Sequence, residues 1–262
     1  MIGSIIGDCI GSIYEWHKVE TYDFDLFTDQ TDYTDDSVMS LATCVSIMTG
    51  KSYGECYRDF GNRYPGRGYG GMFQTWLDSL TMSPPYDSFG NGSAMRVSPI
   101  GYAFNDPKKV LEEAKKSAEC THSHPEGIKG AQATALAVYM ARVGKPKSEI
   151  KRVISKAFKY DLDRTLADIA PVYHFDGTCQ GTVPEAIICF LESESFLDAI
   201  KKAIRLNGDS DTLACITGGI AQAFYKEIPK DIAQKVVELL PEEFQNIIRD
   251  FYKTYKVEVK TI

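Results

Sequence analysis

Apolar residues recur along most of this chain at intervals of three and four, the period of a helix with one buried face. Near the N-terminus Ile5, Cys9 and Ile13 fall four apart, and Gly3, Gly7 and Gly11 keep the same interval. Glycines so spaced leave a bare stripe along which a second helix can approach closely. Because Asp8 and Glu15 share the segment, that packing belongs to a soluble core rather than a bilayer. Further helical runs are predicted over 35–48, 52–64, 107–120, 125–142, 148–160, 184–191, 195–206, 211–225, 232–240 and 242–255. Pro184 suits the first turn of its run. The 125–142 run carries Ala131, Ala133, Ala135, Ala137 and Ala141, small residues for a crowded interior. Strand-like alternation is confined to 255–260, where a lone strand has no evident partner. Segments 22–33, 66–71, 81–92 and 171–181 read as loops from their Gly, Pro, Asp and Asn content. No repeat or linker interrupts the pattern, so a single all-α domain over residues 1–262 is expected.

Composition then removes whole classes. With 29 basic against 36 acidic side chains the formal charge is −7, which discourages a partner gripped through phosphates along a basic face. No nucleic-acid partner is expected. No stretch approaches the roughly 18 charge-free apolar residues of a spanning helix, and no basic n-region precedes Asp8. A cytoplasmic protein without signal peptide or membrane association is therefore expected. The seven cysteines are scattered without a C-x-x-C pair. They read as reduced, buried thiols rather than a disulfide framework or zinc site.

The candidate chemistry lies at two acidic helix starts, Thr34-Asp35-Asp36-Ser37 and Gly208-Asp209-Ser210-Asp211-Thr212. The helix dipole favours a carboxylate there by roughly 0.3–1 kcal/mol, and either cluster alone is most simply a cap. The pair is harder to explain that way. One carboxylate in each has little capping left to do, and the second cluster opens a helix (213–221) that is small and apolar nearly all round. Several carboxylates held near a core repel each other and lose solvation, so they need cations. Oxygen donors without sulfur suit a hard ion such as Mg²⁺ or Mn²⁺, and two converging clusters hold enough oxygens for two ions. The EF-hand spacing is not met by 29–36, and no strand precedes Asp209 as an aspartyl-nucleophile phosphatase would want.

Together with further motifs, these clusters resemble the ADP-ribosylglycohydrolase family, which removes ADP-ribose from modified protein side chains. The ordered set is Gly7-Asp8-Cys9-Ile10-Gly11-Ser12-Ile13-Tyr14-Glu15, the first acidic cluster, and Gly90-Asn91-Gly92-Ser93-Ala94-Met95-Arg96. Thr121-His122-Ser123 follows, with Gly130-Ala131 behind it, and then the second acidic cluster. The resemblance implies a compact orthogonal helical bundle with a central cleft holding two Mg²⁺ ions, or Mn²⁺. Carried over position by position, it implies Thr34, Asp35, Asp36, Asp209, Asp211 and Thr212 as metal ligands, Asp35 and Asp36 also standing at the catalytic centre. Glu15 matches the family's glutamate near the metals, which positions or activates water. Ser88, Gly90 and Asn91 would touch phosphate or ribose, with Gly92 in the same small-residue loop and Phe89 stacking on adenine. Gly70 would line the distal ribose pocket, and His122 would contact a phosphate or ribose. The chain departs from the family at Ser37, more often Thr, and at Asn207, usually Gly. Tyr14-Glu15 and Arg67-Gly68-Tyr69-Gly70 look more like the serine-linkage branch than the arginine-linkage one.

Such an enzyme cleaves the glycosidic bond at C1″ of the distal ribose through an oxocarbenium-like transition state. Two ions could chelate the vicinal ribose hydroxyls and acidify water, with Glu15 as general base. Asp8, seven residues earlier and so on the same helix face, reads as structural, and Arg96 as a buried structural pairing. The expectation is a monomeric Mg²⁺-dependent ADP-ribosyl hydrolase acting on serine- or arginine-linked ADP-ribosylated protein. The alternatives are a non-catalytic ADP-ribose-binding protein and a hydrolase of free ADP-ribosyl derivatives.

Overall fold

Residues 1–79 and 84–261, which this computed structural model describes, fold into helices joined by irregular segments, with two very short strands. In chain order these are α1 (Ile2–Gly11), α2 (Asp35–Thr49), α3 (Tyr53–Arg63), α4 (Gly71–Asp78), α5 (Gly92–Met95), α6 (Ser98–Ala103), α7 (Pro107–Glu119) and α8 (Pro125–Arg142). Then come α9 (Lys147–Phe158), α10 (Leu166–Ile169), α11 (Cys179–Leu191), α12 (Phe196–Arg205), α13 (Ser210–Tyr225), β1 (Glu227–Ile228), α14 (Lys230–Leu239), α15 (Glu242–Tyr255) and β2 (Lys260–Thr261). The all-α expectation holds.

The glycine stripe sets the centre. α1 lies along α13, and a Cβ on Gly3, Gly7 or Gly11 would sit 2.5, 2.0 or 2.5 Å from the carbonyl oxygens of Gly218, Ala214 and Ser210. At Gly7 and Gly11 the nearest atoms are all backbone, with no flexible side chain to move aside. Gly7→Ala is therefore expected to destabilise the protein by about 2–3 kcal/mol, seen as a clear fall in Tm; an unchanged Tm would mean the two helices can part without loss. α13 is buried from Ser210 to Ala223, as its composition predicted. The alanine-rich α8 packs against α5, α6, α7, α11 and α13. Residues 35–36 and 209–212 thus begin helices that belong to, or border, the core.

Several boundaries differ from the sequence expectation. α1 stops at Gly11, where the Ser12 hydroxyl bonds back to the Cys9 carbonyl and Tyr14 N–H closes a turn on Gly11 O. Ile13 and Glu15 therefore lie beyond the helix, and Asp8 and Glu15 do not share a helix face. α11 begins five residues before Pro184, because Thr178 caps it by accepting from Gly181 N–H; Pro184 sits inside the helix rather than in its first turn. The alternation expected over 255–260 is a strand only at its end: Tyr255 closes α15, and Lys260 opens β2, which pairs in parallel with β1, Glu227 opposite Lys260 and Ile228 opposite Thr261. α5, α6 and α10 are too short for a helical period to show, and the eight-residue α4 lies outside the predicted runs. In the predicted loop 81–92, residues 81–83 lie outside the described residues, and Gly92 already opens α5. All seven cysteines are free, and no described helix is long and apolar enough to cross a membrane.

Candidate metal centre and cleft

Thr34 caps α2, its hydroxyl accepting from Asp36 N–H at 3.3 Å. Asp8, at the end of α1, braces this start: its carboxylate accepts from Thr34 N–H and Ser37 N–H at 3.0 Å each, from Thr34 Oγ1 at 2.6 Å, and from the Ser37 hydroxyl. Ser37 thus supplies the hydroxyl that the family's threonine would. Asp209 occupies the cap position of α13 without making a cap bond; its Oδ2 instead accepts from Asn91 Nδ2 at 2.7 Å. Capping does not account for that carboxylate. The two helix starts meet where Thr212 Oγ1 donates to Asp36 Oδ2 at 3.3 Å. Asn207 stands just before α13 at φ 58°, a left-handed conformation that glycine or asparagine adopts most readily, which explains the exchange at this position. Its amide also holds the chain after Glu15, accepting from Val19 N–H at 2.7 Å and donating to Val19 O at 3.1 Å.

The convergence leaves too much negative charge in too little water. Oxygens of Asp8, Asp36 and Asp211 can lie within 4.8 Å of one another, and so can those of Glu15, Asp209 and Asp211. Among the described residues none of these carboxylates forms a salt bridge. Burial first, then the Asp211 charge, raises the pKa of Asp35, Asp36 and Asp209 well above the usual carboxylate range. The same causes push Asp8 and Glu15 up to about 7, although hydrogen bonds from Ser37 and Thr34 oppose the shift at Asp8. Asp8 has its oxygens satisfied, as a structural brace should. Asp36 Oδ1 is buried with no partner, an orphaned acceptor that a hard divalent ion would satisfy. The oxygen set therefore fits Mg²⁺ or Mn²⁺.

This electrostatics has a sign that can be read in solution. Without metal, each raised carboxylate holds a proton more tightly folded than unfolded. Its stabilising contribution is complete below the unfolded range near about pH 4 and is lost as pH rises through 7 and above. In chelator, Tm is expected to fall between about pH 5 and 8, and Mg²⁺ should abolish that fall. A Tm that rises over this interval in chelator would contradict the arrangement.

The acidic centre opens into a cavity of about 540 Å³ whose wall includes Glu15, Thr34, Asp35, Asp36, Asp209, Asp211 and Thr212, a volume typical of small-ligand sites. Gly70, Ser88, Gly90, Asn91, Gly92 and His122 also line it. The segment carrying Ser88 to Gly92 is pinned to the turn before α11: Asn91 N–H donates to Gly177 O at 2.8 Å and Cys179 N–H to Phe89 O at 2.9 Å. Asn91's side chain is committed to Asp209 and to Thr182, so it braces a candidate metal ligand as well as lining the cleft. Phe89 is not part of the wall; it stands exposed with His124 edge-on at 5.2 Å. Arg96 is 1% exposed; it donates to Ser117 O and Thr121 Oγ1 and lies over the Tyr57 ring, with no carboxylate among these contacts. It is the only cation lining the cavity among the described residues.

Trp16 and Phe175 escaped sequence reasoning. They are 75% and 45% exposed, stack at 5.4 Å, and form part of the cavity wall. The Trp16 indole also favours the ionised form of the neighbouring Glu15 by hydrogen bonding. A tryptophan directly after the candidate base was the available signal; Phe175, distant in sequence, left none.

Fold and cleft together define an all-α protein organised around a buried acidic centre fit for hard divalent ions. Comparison with known proteins makes the class particular. A family model described as ADP-ribosylglycohydrolase matches residues 1–259, and the chain belongs to that family. It is 28% identical to human ADP-ribosylhydrolase ARH3, the match covering 86% of this chain and 84% of that protein. To the mouse ADP-ribosylhydrolase ARH3 it is 26% identical, over 97% of this chain and 87% of the relative. A solved structure titled "ADP-ribosylglycohydrolase-related protein complex" shares the fold, with a TM-score of 0.73 at 21% identity over 97% of this chain and 95% of that one.

Proposed function

We propose that this protein is a metal-dependent hydrolase that cleaves the glycosidic bond between ADP-ribose and a modified protein side chain. The observation that carries the reading is the meeting of Asp35 and Asp36 with Asp209 and Asp211, beneath Glu15, in one cavity without a neutralising salt bridge. Family membership supports it. Thr34, Asp35, Asp36, Asp209, Asp211 and Thr212 would hold two Mg²⁺ or Mn²⁺ ions, which supply Lewis-acid polarisation of hydroxyl and water oxygens when bound. Glu15, at the cleft wall and only half-buried, takes the proton of the attacking water. Asn91 keeps Asp209 aimed inward, and Asp8 keeps the α2 start in place. The free thiols suit a reducing compartment such as the cytoplasm.

The test is release of ADP-ribose from serine-modified and arginine-modified proteins, each with Mg²⁺ and with chelator. Release from at least one substrate, abolished by chelator, is expected; which one is cleaved assigns the linkage. Metal-dependent binding of ADP-ribose without release from either would replace the enzyme by a binding module.

A further inference from the structure

His122 is 6% exposed and lines the cleft, and its Nε2 lies 3.1 Å from where a Cβ on Gly92 would stand and 3.5 Å from one on Gly90. That edge of the ring faces the loop carrying both glycines. The opposite nitrogen, Nδ1, is 2.8 Å from the hydroxyl of Thr121, which is fully buried. The same hydroxyl has a second partner, Arg96 Nη2, also at 2.8 Å. A guanidinium only donates and keeps its charge at every accessible pH. Thr121 Oγ1 must therefore accept from Arg96, which leaves its own proton to give away. His122 Nδ1 is within reach to accept it. Were Nδ1 protonated, the hydroxyl oxygen would face two donors and its proton would need another buried acceptor.

We propose that Arg96, acting through Thr121, fixes His122 as the neutral Nε2–H tautomer, so that the cleft offers a hydrogen-bond donor beside Gly90 and Gly92. Arg96 and Thr121 are positioning residues; His122 is the group that meets the ligand. Burial, and then the Arg96 charge, hold the imidazole pKa well below the usual histidine range, consistent with a neutral ring. Arg96 suits the task because Ser117 O and the face of Tyr57, 4.0 Å away, hold the guanidinium still. That the ligand atom is a phosphate or ribose oxygen of ADP-ribose rests on the function proposed above; the tautomer does not.

Long-range ¹H–¹⁵N correlation on the ¹⁵N-labelled full chain reads the tautomer directly, with His122→Asn assigning the signals. The wild type is expected to show Nε2 protonated and Nδ1 as an acceptor. Thr121→Val, which removes the donor at nearly constant shape, should move the Nδ1 resonance towards that of an unbonded nitrogen, and Thr121→Ser should restore it. ADP-ribose affinity, by calorimetry, should weaken about fivefold in Thr121→Val and recover in Thr121→Ser. A protonated Nδ1 in the wild type, or an Nδ1 signal that Thr121→Val leaves unmoved, overturns the proposal. If the wild type binds no ADP-ribose, the functional reading fails while the tautomer is still decided by the spectrum.

Discussion

Asp36→Asn should lower kcat/KM for ADP-ribose release by at least about 100-fold and at the same time raise the Tm of the metal-free protein. The two effects share one cause. Asp36 accepts from Thr212 through Oδ2, while its Oδ1 is buried without a partner and its carboxyl faces Asp211, Asp8, Asp35 and Asp209. Asparagine can keep the accepting oxygen and remove the charge. In chelator near neutral pH this spares the folded state the cost of protonating that carboxylate or of burying its charge, by about 1 kcal/mol or more, or roughly 2–4 °C in a chain of this size. With Mg²⁺ the order should reverse, since a bound ion stabilises the wild type by about 2.7 kcal/mol at a hundredfold excess over Kd. Thermal scans of both proteins, with and without Mg²⁺, check this. A variant less stable than wild type in chelator would show that Asp36 serves the fold rather than the ion.

Glu15→Gln should separate chemistry from binding. Losing a general base lowers kcat on the order of 10²–10⁴-fold, while ADP-ribose affinity should change little because the amide keeps the shape. Glu15 suits the role because it stands in the cleft wall beside the acidic centre without being one of the helix-start carboxylates. Single-turnover rates with calorimetric Kd values check the separation. Full turnover with metal binding intact would remove Glu15 from the mechanism.

How much of this was legible in the sequence follows physical lines. That another helix packs closely on α1 showed in Gly3, Gly7 and Gly11, because only a missing Cβ permits so close a backbone approach; that the partner is α13 did not. The acidic centre showed because Asp35-Asp36 and Asp209 to Asp211 exceed what capping needs; Asp209, which makes no cap bond, bears that out. Short elements stayed hidden. α5 and α10 have four residues each, too few for a 3.6-residue period to register, and β1 acquires meaning only when β2 arrives beside it. The bracing role of Asn91 was hidden likewise: nothing local to it points to Asp209, 118 residues away. Arg96 was expected to be buried, but that its partners would be a carbonyl, a hydroxyl and a ring could not be read from its neighbours in the chain. Trp16 on Phe175 is a contact of the same kind, made by two loops that only the fold brings together.

On the proposed function, the two acidic helix starts form one site for two divalent ions. Titration of the chelator-treated protein with Mn²⁺, followed by the loss of the free-ion paramagnetic signal, counts the bound ions. The expected result is about two per wild-type chain, with occupancy reduced in both Asp36→Asn and Asp209→Asn. No bound Mn²⁺ in the wild type, or undiminished binding in both variants, would contradict it.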